Sequence, residues 1–389
     1  MNLPMNKIFI QKHHSGHPWI FSNEIKKPKT TITPGEIVDI YQDKKFLGRG
    51  FYNPNSLIAI RKYSDKEEEF DTALIACRID QALEYRKSFI NDNSFRLIHS
   101  ESDNLPGLIV DKYEKNFVIQ IHCYGIELKK DLIVDALIKF SPQFIYEKSD
   151  ERLRKLEGLN LANGLCYGKK NDLTEIEQGG IKFSVDIENG QKTGFFFDLR
   201  EIREKLSMLA KDKEILDLFC YTGGFSFYAA KGGAKSVLGI DSSKTAIEIA
   251  KHNGQLNNFQ QVNFECGDAF DFLRDNKKCF DIIILDPPSF TKSKTELSNA
   301  RRGYKEINFQ AMKRLNENGM LITTCCSYHF SEEEFLKVIN SAAADAGVNF
   351  RIIERATQAL DHPVLLNMPE SHYLKCYFLQ RVEDGILSD

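Results

Sequence analysis

The stretch from Glu214 to Ala230, EILDLFCYTGGFSFYAA, constrains the fold more than any other part of the chain. An apolar run stops at a carboxylate and a glycine pair, then resumes as a helix. Ile215, Leu216, Leu218 and Phe219 predict a short buried strand with Asp217 inside it, and a carboxylate there is costly unless it has a partner. Gly223 and Gly224 allow a tight turn and a close approach of a ligand to the backbone. A crossover helix after such a turn places the loop at the carboxyl end of a parallel strand, where open α/β sheets bind their ligands. Over this stretch alone, any βα turn of a Rossmann-like domain would read the same.

The following strands narrow the choice. SVLGI (236–240) ends at Asp241, roughly 20 residues beyond the glycines, the spacing at which a carboxylate takes ribose hydroxyls. The G-x-G-x-x-G fingerprint is absent, and with it the main reason to expect a pyrophosphate at the helix N-terminus. This argues against a nicotinamide-dependent oxidoreductase; a cofactor with ribose and adenine but no phosphate fits better, which points to S-adenosylmethionine. VNFEC leads to Gly267 and Asp268, and Asp268 reads as an adenine partner or equally as a helix N-cap. FDIIILDPPSF is the most apolar strand pattern, closed by Asp286, Pro287 and Pro288, which stop the strand and stiffen the loop. MLITTCCSYHF is expected to bring Cys325 and Cys326 to the same carboxyl edge as Asp286. Ser331 and Glu334 form a capping-box pattern for the next helix. A cysteine in an apolar strand is usually structural; the position at this edge favours a chemical role for one of the pair.

A chain of 389 residues allows two or three domains, and 42% hydrophobic with 28% charged residues is the make-up of an ordinary globular protein. No apolar run approaches the roughly 18 residues of a membrane span and the N-terminus lacks a signal-peptide core, so a cytoplasmic location is expected. The nine cysteines show no C-x-x-C pair and read as reduced thiols, while His13, His14 and His17 lack partners at metal spacing, so no metal site is expected. The net charge of −3 gives no global argument for nucleic acid, but residues 1–63 hold ten Lys and Arg against four acids, a local +6. Within them GEIVDIY, KFLGRGFYN and SLIAIRKYS read as strands of a small β-barrel. Such a module suits phosphate contact, or is a solvated, slightly basic surface. Phe70–Ile90 has helical periodicity, and FRLIHS, GLIVDKY, FVIQIHCY and FIYEK read as strands, with an amphipathic helix over Leu128–Phe140. The expected division is therefore 1–75 for the barrel, 76–185 for an α+β middle domain and 186–389 for the nucleotide-binding domain.

Several stretches, in this order, closely resemble the bacterial 23S ribosomal RNA cytosine-5 methyltransferases that carry an N-terminal PUA domain. They are GHPWIFSNEI (16–25), GQKTGFFFDLREIR (190–203), LDLFCYTGGFS, GDAFDFL, LDPPSFTKSK, RRGYKEIN, TCCSY and DHPVL with PESHYLK. The resemblance covers nearly the whole chain. It implies a multidomain protein with an N-terminal PUA-like β-barrel, an α+β middle domain of strand-strand-helix-strand-strand type and a C-terminal α/β Rossmann-like class I methyltransferase. It implies S-adenosylmethionine as donor and 23S ribosomal RNA or a large-subunit precursor as partner, with a homodimer left open and no membrane. Carried over by motif, the cofactor residues are Asp217, Phe219, Tyr221, Thr222, Gly223, Gly224, Asp241, Asp268 and Asp286. The substrate contacts are Lys12, Lys192, Thr193, Arg200, Pro287, Lys292, Arg302 and Tyr304.

The resemblance makes Cys326, which precedes a serine, the nucleophile and sets Asp286 on the base edge. The chemistry agrees, because C5 of cytosine is a poor nucleophile until a thiolate adds to C6. The family has one cysteine where this chain has two; side chains alternate along a strand, so one of them is expected to face the cofactor, and Cys326 is the choice. Asp-Pro-Pro with Ser-Phe also resembles motifs of amino-group methyltransferases, and a related branch resembles guanine-N7 methyltransferases, which need neither cysteine. A non-catalytic RNA-binding protein is the third reading, opposed by intact Asp217, Gly223, Gly224, Asp241 and Asp286.

Overall fold

The computed structural model describes residues 5–11, 16–170, 172–290 and 297–382. Two compact units are formed, and they are not a linear cut of the chain. The first takes the residues up to Gln178 together with Val185–Phe197 and Leu360–Ser371; the second takes Gly179–Ser184, Asp198–Ala359 and the residues from His372 onward.

In the first unit, strands Asn6–Phe9, Trp19–Phe21, Ile37–Gln42, Lys45–Tyr52 and Ile58–Ser64 make the basic N-terminal barrel-like sheet. Alternation sends Ile8, Ile10, Ile20, Val38, Ile40 and Ile60 into one small core. The middle part is a second five-stranded sheet, built from Phe95–His99, Leu108–Tyr113, Asn116–Ile121, Phe144–Lys148 and Asn163–Gly168, with helices Thr72–Lys87 and Lys130–Ile138. Phe95–His99 precedes the other four strands, and a short helix, Glu151–Leu156, separates the last two. Barrel and middle sheet share buried structure. Phe51, Tyr63 and Phe70 sit in the same core as Ile75, Val110 and Ile119. Arg61 donates to Glu101 (2.9 Å) and Glu157 (3.3 Å), and Trp19 Nε1 donates to Glu101 at 2.7 Å. Buried ions persist only when paired in this way.

The second unit is a seven-stranded sheet, its strands numbered here within the sheet as β1 (Glu214–Leu218), β2 (Ser236–Asp241), β3 (Val262–Cys266), β4 (Phe280–Leu285), β5 (Leu315–Cys325), β6 (Asn349–Ala356) and β7 (Lys375–Val382). Their order is 3-2-1-4-5-7-6. β1 to β5 run parallel, and β7 lies antiparallel between β5 and β6. The order reverses between β1 and β4, which makes their carboxyl ends the expected ligand crevice. β4 is a continuous apolar run because it is covered on both faces: Ile282, Ile283, Ile284 and Leu285 are all buried.

Among the described residues six helices flank the sheet: α1 (Arg200–Leu209), α2 (Gly224–Lys231), α3 (Lys244–Leu256), α4 (Ala269–Asp275), α5 (Leu297–Met312) and α6 (Glu332–Ala346). Ser331 caps α6 by accepting from the Glu334 N–H at 3.1 Å. The Glu334 carboxylate pairs with Arg301, so the expected capping box appears as a single-sided cap. Among the described residues, no helix is long and apolar enough to cross a membrane.

Candidate active site

The crevice at the ends of β1 and β4 begins with a buried charge. Asp217 is fully enclosed within β1; its Oδ2 accepts from Ser226 Oγ at 2.6 Å, while Oδ1 has no hydrogen-bond partner among the described residues. Burial, with Asp286 as a second negative neighbour, pushes its carboxyl up to about 7. A buried acceptor without a donor is an expensive feature for a fold to keep, and such groups mark ligand sites.

The loop after β1 is held in a sparsely populated conformation. Phe219, Tyr221 and Gly223 take φ of +63°, +50° and +90°. For two aromatic residues this conformation is uncommon and costs about 1–2 kcal/mol each. Neighbouring β2 holds it in place. The Cys220 N–H donates to Ile240 O at 3.0 Å and the Tyr221 N–H to Asp241 Oδ2 at 2.9 Å. Asp241 Oδ1 accepts from the Ser243 N–H at 2.8 Å, leaving each oxygen lone pairs for ribose hydroxyls. Thr222 is buried, its carbonyl reached by Asn253 Nδ2 at 3.4 Å.

The glycine pair serves a purpose that sequence reading missed. A Cβ on Gly223 would come within 2.5 Å of Phe227 and 2.9 Å of Phe264, and one on Gly224 within 2.8 Å of the Arg203 guanidinium. The space beside both glycines is filled by the protein itself, so they are needed for packing as much as for any ligand. Asp268 caps α4, accepting from the Phe270 and Asp271 N–H groups at 2.9 and 3.0 Å through Oδ1. It also lines a cleft of about 440 Å³ with Ile240, Cys266, Gly267 and Phe272. Its two readings are therefore compatible.

At the end of β4 the register Leu285↔Thr323 sets Asp286 beside Thr324, whose hydroxyl donates to Asp286 Oδ1. Pro287 is buried behind it. The next residues of β5 separate the cysteine pair. Cys325 is completely buried in the core with Tyr304, Phe330 and Phe335, and burial raises its thiol pKa. Cys326, one residue past the strand, is partly exposed.

Two further residues belong to this geometry. Lys375 on β7 pairs in register with Cys325 and is buried; its ammonium donates to the carbonyls of Ser327 (2.6 Å) and Tyr373 (3.2 Å). Burial lowers its pKa, while both neighbouring thiols act to keep it charged. Arg203 on α1 is buried beside Tyr228, Asp198, Asp286 and Asp217, with its guanidinium 5.5 Å from the Phe225 ring centre; burial lowers its pKa as well. The available signal was Arg203 three residues before Leu206, a charge on the apolar side of the helix. Lys375 carried no such sign beyond its place in PESHYLK.

The expected substrate contacts scatter. Tyr304 is a correction: it is wholly enclosed by Phe290, Phe330 and Phe335 and packs the α5 face of the core, so it offers no surface to a base. Arg302 is exposed on α5, where it donates to Asn299 at 3.0 Å and lines a cleft of about 730 Å³ with Lys305, Glu306 and Lys337. Arg200 is buried in α1. Lys192 and Thr193 belong to the first unit. Thr193 is a second correction: it is buried, donating to Asp111 at 2.6 Å and accepting from Tyr113 at 3.1 Å, so it is spent on the fold. Lys192 lies over the Phe196 ring, 4.4 Å from its centre. Lys12 and Lys292 lie outside the described residues. Among those described, no cluster of His, Cys, Asp and Glu could hold a metal ion.

Known proteins supply the remaining comparison. Residues 5–65 match a PUA-like domain and residues 160–365 an S-adenosylmethionine-dependent methyltransferase. The chain is 43% identical over 372 residues to ribosomal RNA large subunit methyltransferase I of Tolumonas auensis, and 42% over 371 residues to that of Aliivibrio fischeri. Each match covers 92% of this chain and 94% of the relative. In fold it is similar to a methyltransferase complexed with SAH (TM-score 0.83) and to a SAM-dependent methyltransferase from Streptococcus mutans (0.81). Both are 23% identical and cover 97% of this chain and all of the solved one.

Proposed function

The chain belongs to the S-adenosylmethionine-dependent ribosomal RNA large subunit methyltransferase I family, and from this premise we propose that it methylates C5 of a cytosine in 23S ribosomal RNA through a Cys326 thiolate adduct. The observation that carries the proposal is the fate of the adjacent cysteines: Cys325 is sealed in the core, while Cys326 stays accessible at the edge that holds Asp286 and Thr324.

S-adenosylmethionine supplies a methyl group on a sulfonium centre. The unpartnered Asp217 Oδ1, the carboxylate of Asp241 and the half-used cap Asp268 fit a cationic, ribose-bearing and adenine-bearing cofactor. Phe219, Tyr221, Thr222, Gly223 and Gly224 shape the loop around it. The target cytosine is turned out of its stack so that C6 and C5 can be reached. Cys326 Sγ then forms a bond to C6, and Asp286, bound to the base edge, favours the protonated pyrimidine that accepts attack. The electron pair released at C5 would take the methyl group as its bond to the sulfonium breaks, leaving a neutral thioether. Removal of the C5 proton and expulsion of the thiolate restore the aromatic ring. A free thiol is only a few per cent ionised at neutral pH, so the Lys375 ammonium beside the cysteine pair supports this reading.

In the same reading, residues 1–75 hold RNA, 76–185 space the two ends and 186–389 carry the chemistry in the cytoplasm. A homodimer is checked by light scattering of the purified chain. The deciding experiment incubates unmodified 23S RNA with the protein and isotope-labelled S-adenosylmethionine, then analyses the nucleosides by mass spectrometry. Labelled 5-methylcytidine, lost in Cys326→Ala and kept in Cys325→Ala, is expected; labelled 7-methylguanosine would overturn the thiolate mechanism.

A further inference from the structure

On the N-terminal barrel, three aromatic rings stand in one row across three strands. The register pairs Phe9 of the edge strand Asn6–Phe9 with Tyr41 of Ile37–Gln42, and Tyr41 with Phe46 of Lys45–Tyr52. Ring centres are 5.7 Å apart for Phe9 and Tyr41 and 5.6 Å for Tyr41 and Phe46. Alternation explains which face they occupy: Ile8, Ile10 and Ile40 point into the core, so Phe9 and Tyr41 point away from it. Phe9 is 38% exposed, and Tyr41 and Phe46 are half-buried.

The Lys7 ammonium lies 5.1 Å from the Tyr41 ring centre, and Lys44 is exposed in the turn that joins the second and third of these strands. The exposed Lys26 donates its backbone N–H to the Phe9 carbonyl at 2.7 Å, which sets Lys26 beside this strand. Of the nearby acids, Asp39 is already engaged by Arg49 at 2.9 Å and Glu36 by Asn6 at 3.1 Å, while Asp43 shares the turn with Lys44. Cross-strand aromatic pairs do stabilise a sheet and lysines do guard an edge. Neither purpose calls for the outermost ring to stay exposed beside a row whose central ring carries a lysine ammonium.

We propose that Phe9, Tyr41 and Phe46 form a base-stacking platform for a single-stranded segment of RNA, with Lys7 and Lys44 on its phosphates. Rings that present π-faces beside a cationic track bind unpaired bases with little sequence preference. The proposal deepens the ribosomal RNA reading and rests on it for the choice of RNA as occupant.

The test uses the full-length protein and a fluorescent oligo-uridine, with anisotropy as readout. Phe9→Leu/Tyr41→Leu keeps apolar bulk on the sheet and removes two ring faces. It is expected to weaken oligo-uridine binding at least about tenfold, with binding to heparin, a polyanion without bases, unchanged. Equal binding of oligo-uridine by both proteins, or equal weakening toward oligo-uridine and heparin, overturns the platform. If the double variant fails to fold, Phe9→Trp decides: its added indole emission is quenched by saturating oligo-uridine if bases stack there, and unquenched emission overturns the proposal. Methyl transfer is assayed in parallel. Transfer by the unaltered protein with no ring effect sinks the platform alone, whereas absence of transfer to any RNA sinks the functional reading, and the binding comparison still decides the platform.

Discussion

Asp217→Asn is expected to make the protein more stable at pH 8 and a poorer binder of S-adenosylmethionine. The folded carboxyl is raised from its ordinary 3.8 to about 7, chiefly by burial. The folded state therefore holds a proton that the unfolded chain has released, and stability is lost as pH rises from about 4 to about 7. Fully expressed, a rise of that size is about 4 kcal/mol; the penalty is about 2 kcal/mol at pH 5 and complete by pH 8. An asparagine escapes it but leaves an amide N–H without an acceptor where Oδ1 stands, at about 1–3 kcal/mol. The fixed cost makes the net gain at pH 8 about 1–3 kcal/mol. The pH-dependent part is independent of it: the difference between variant and wild type should grow by about 2.5 kcal/mol from pH 5 to pH 8. Urea unfolding followed by far-UV circular dichroism measures this. Fluorescence of the single tryptophan, Trp19, in the other unit serves as an internal control. A constant offset between the two proteins over that range would refute the argument, because it would mean that Asp217 is as ionised in the fold as in the unfolded chain. Calorimetry supplies the second half: wild-type affinity for the cationic cofactor should rise as pH passes about 7, and that of the variant should be weaker and flat.

Replacing the buried thiol in Cys325→Ala should cost about 1 kcal/mol in stability and leave methyl transfer intact, whereas Cys326→Ala should reduce transfer to background with cofactor binding unchanged in calorimetry. Lys375→Met should move the pH midpoint of Cys326 alkylation by iodoacetamide upward by about one unit, and Lys375→Arg should restore part of it; an unmoved midpoint would remove Lys375 from the thiol's environment. Gly223→Ala should destabilise more than Gly224→Ala in thermal melts. The former combines a φ of +90° with two rigid phenylalanine rings, while the latter meets only the end of the Arg203 side chain.

How far these features were legible depends on whether they are local. β4 could be read directly from FDIIILDPP, since a strand covered on both faces must be apolar throughout and prolines end it. The same holds for β1, the turn after it and the strand ending at Asp241, each specified by a few neighbouring residues. The purpose of Gly223 and Gly224 was not legible: Phe264 and Arg203, which fill the space beside them, come from β3 and α1. Tyr304 misled for a related reason. RRGYKEIN is a helix whose basic residues face out while its tyrosine, on the opposite side, meets Phe290, Phe330 and Phe335 from other elements.

The cysteine pair joins the local signal to the distant one. Alternation along β5 dictates that Cys325 and Cys326 part company, and sequence alone supports that much. Which of them enters the core is decided by α5, α6 and the turn before α6, which close over Cys325 through Tyr304, Phe335 and Phe330. The antiparallel register of β7 decides what stands beside the pair, by setting Lys375 opposite Cys325 from 50 residues away along the chain. A lysine in that position is held by two carbonyls and, among the described residues, by no carboxylate hydrogen bond, so the pull of its neighbours opposes the cost of its burial. Its protonation and the ionisation of the thiols are then expected to be coupled. Alkylation of Cys326 and titration of Lys375 should show the same midpoints in the wild type. Separate midpoints would mean that the two groups share a strand edge without sharing a charge.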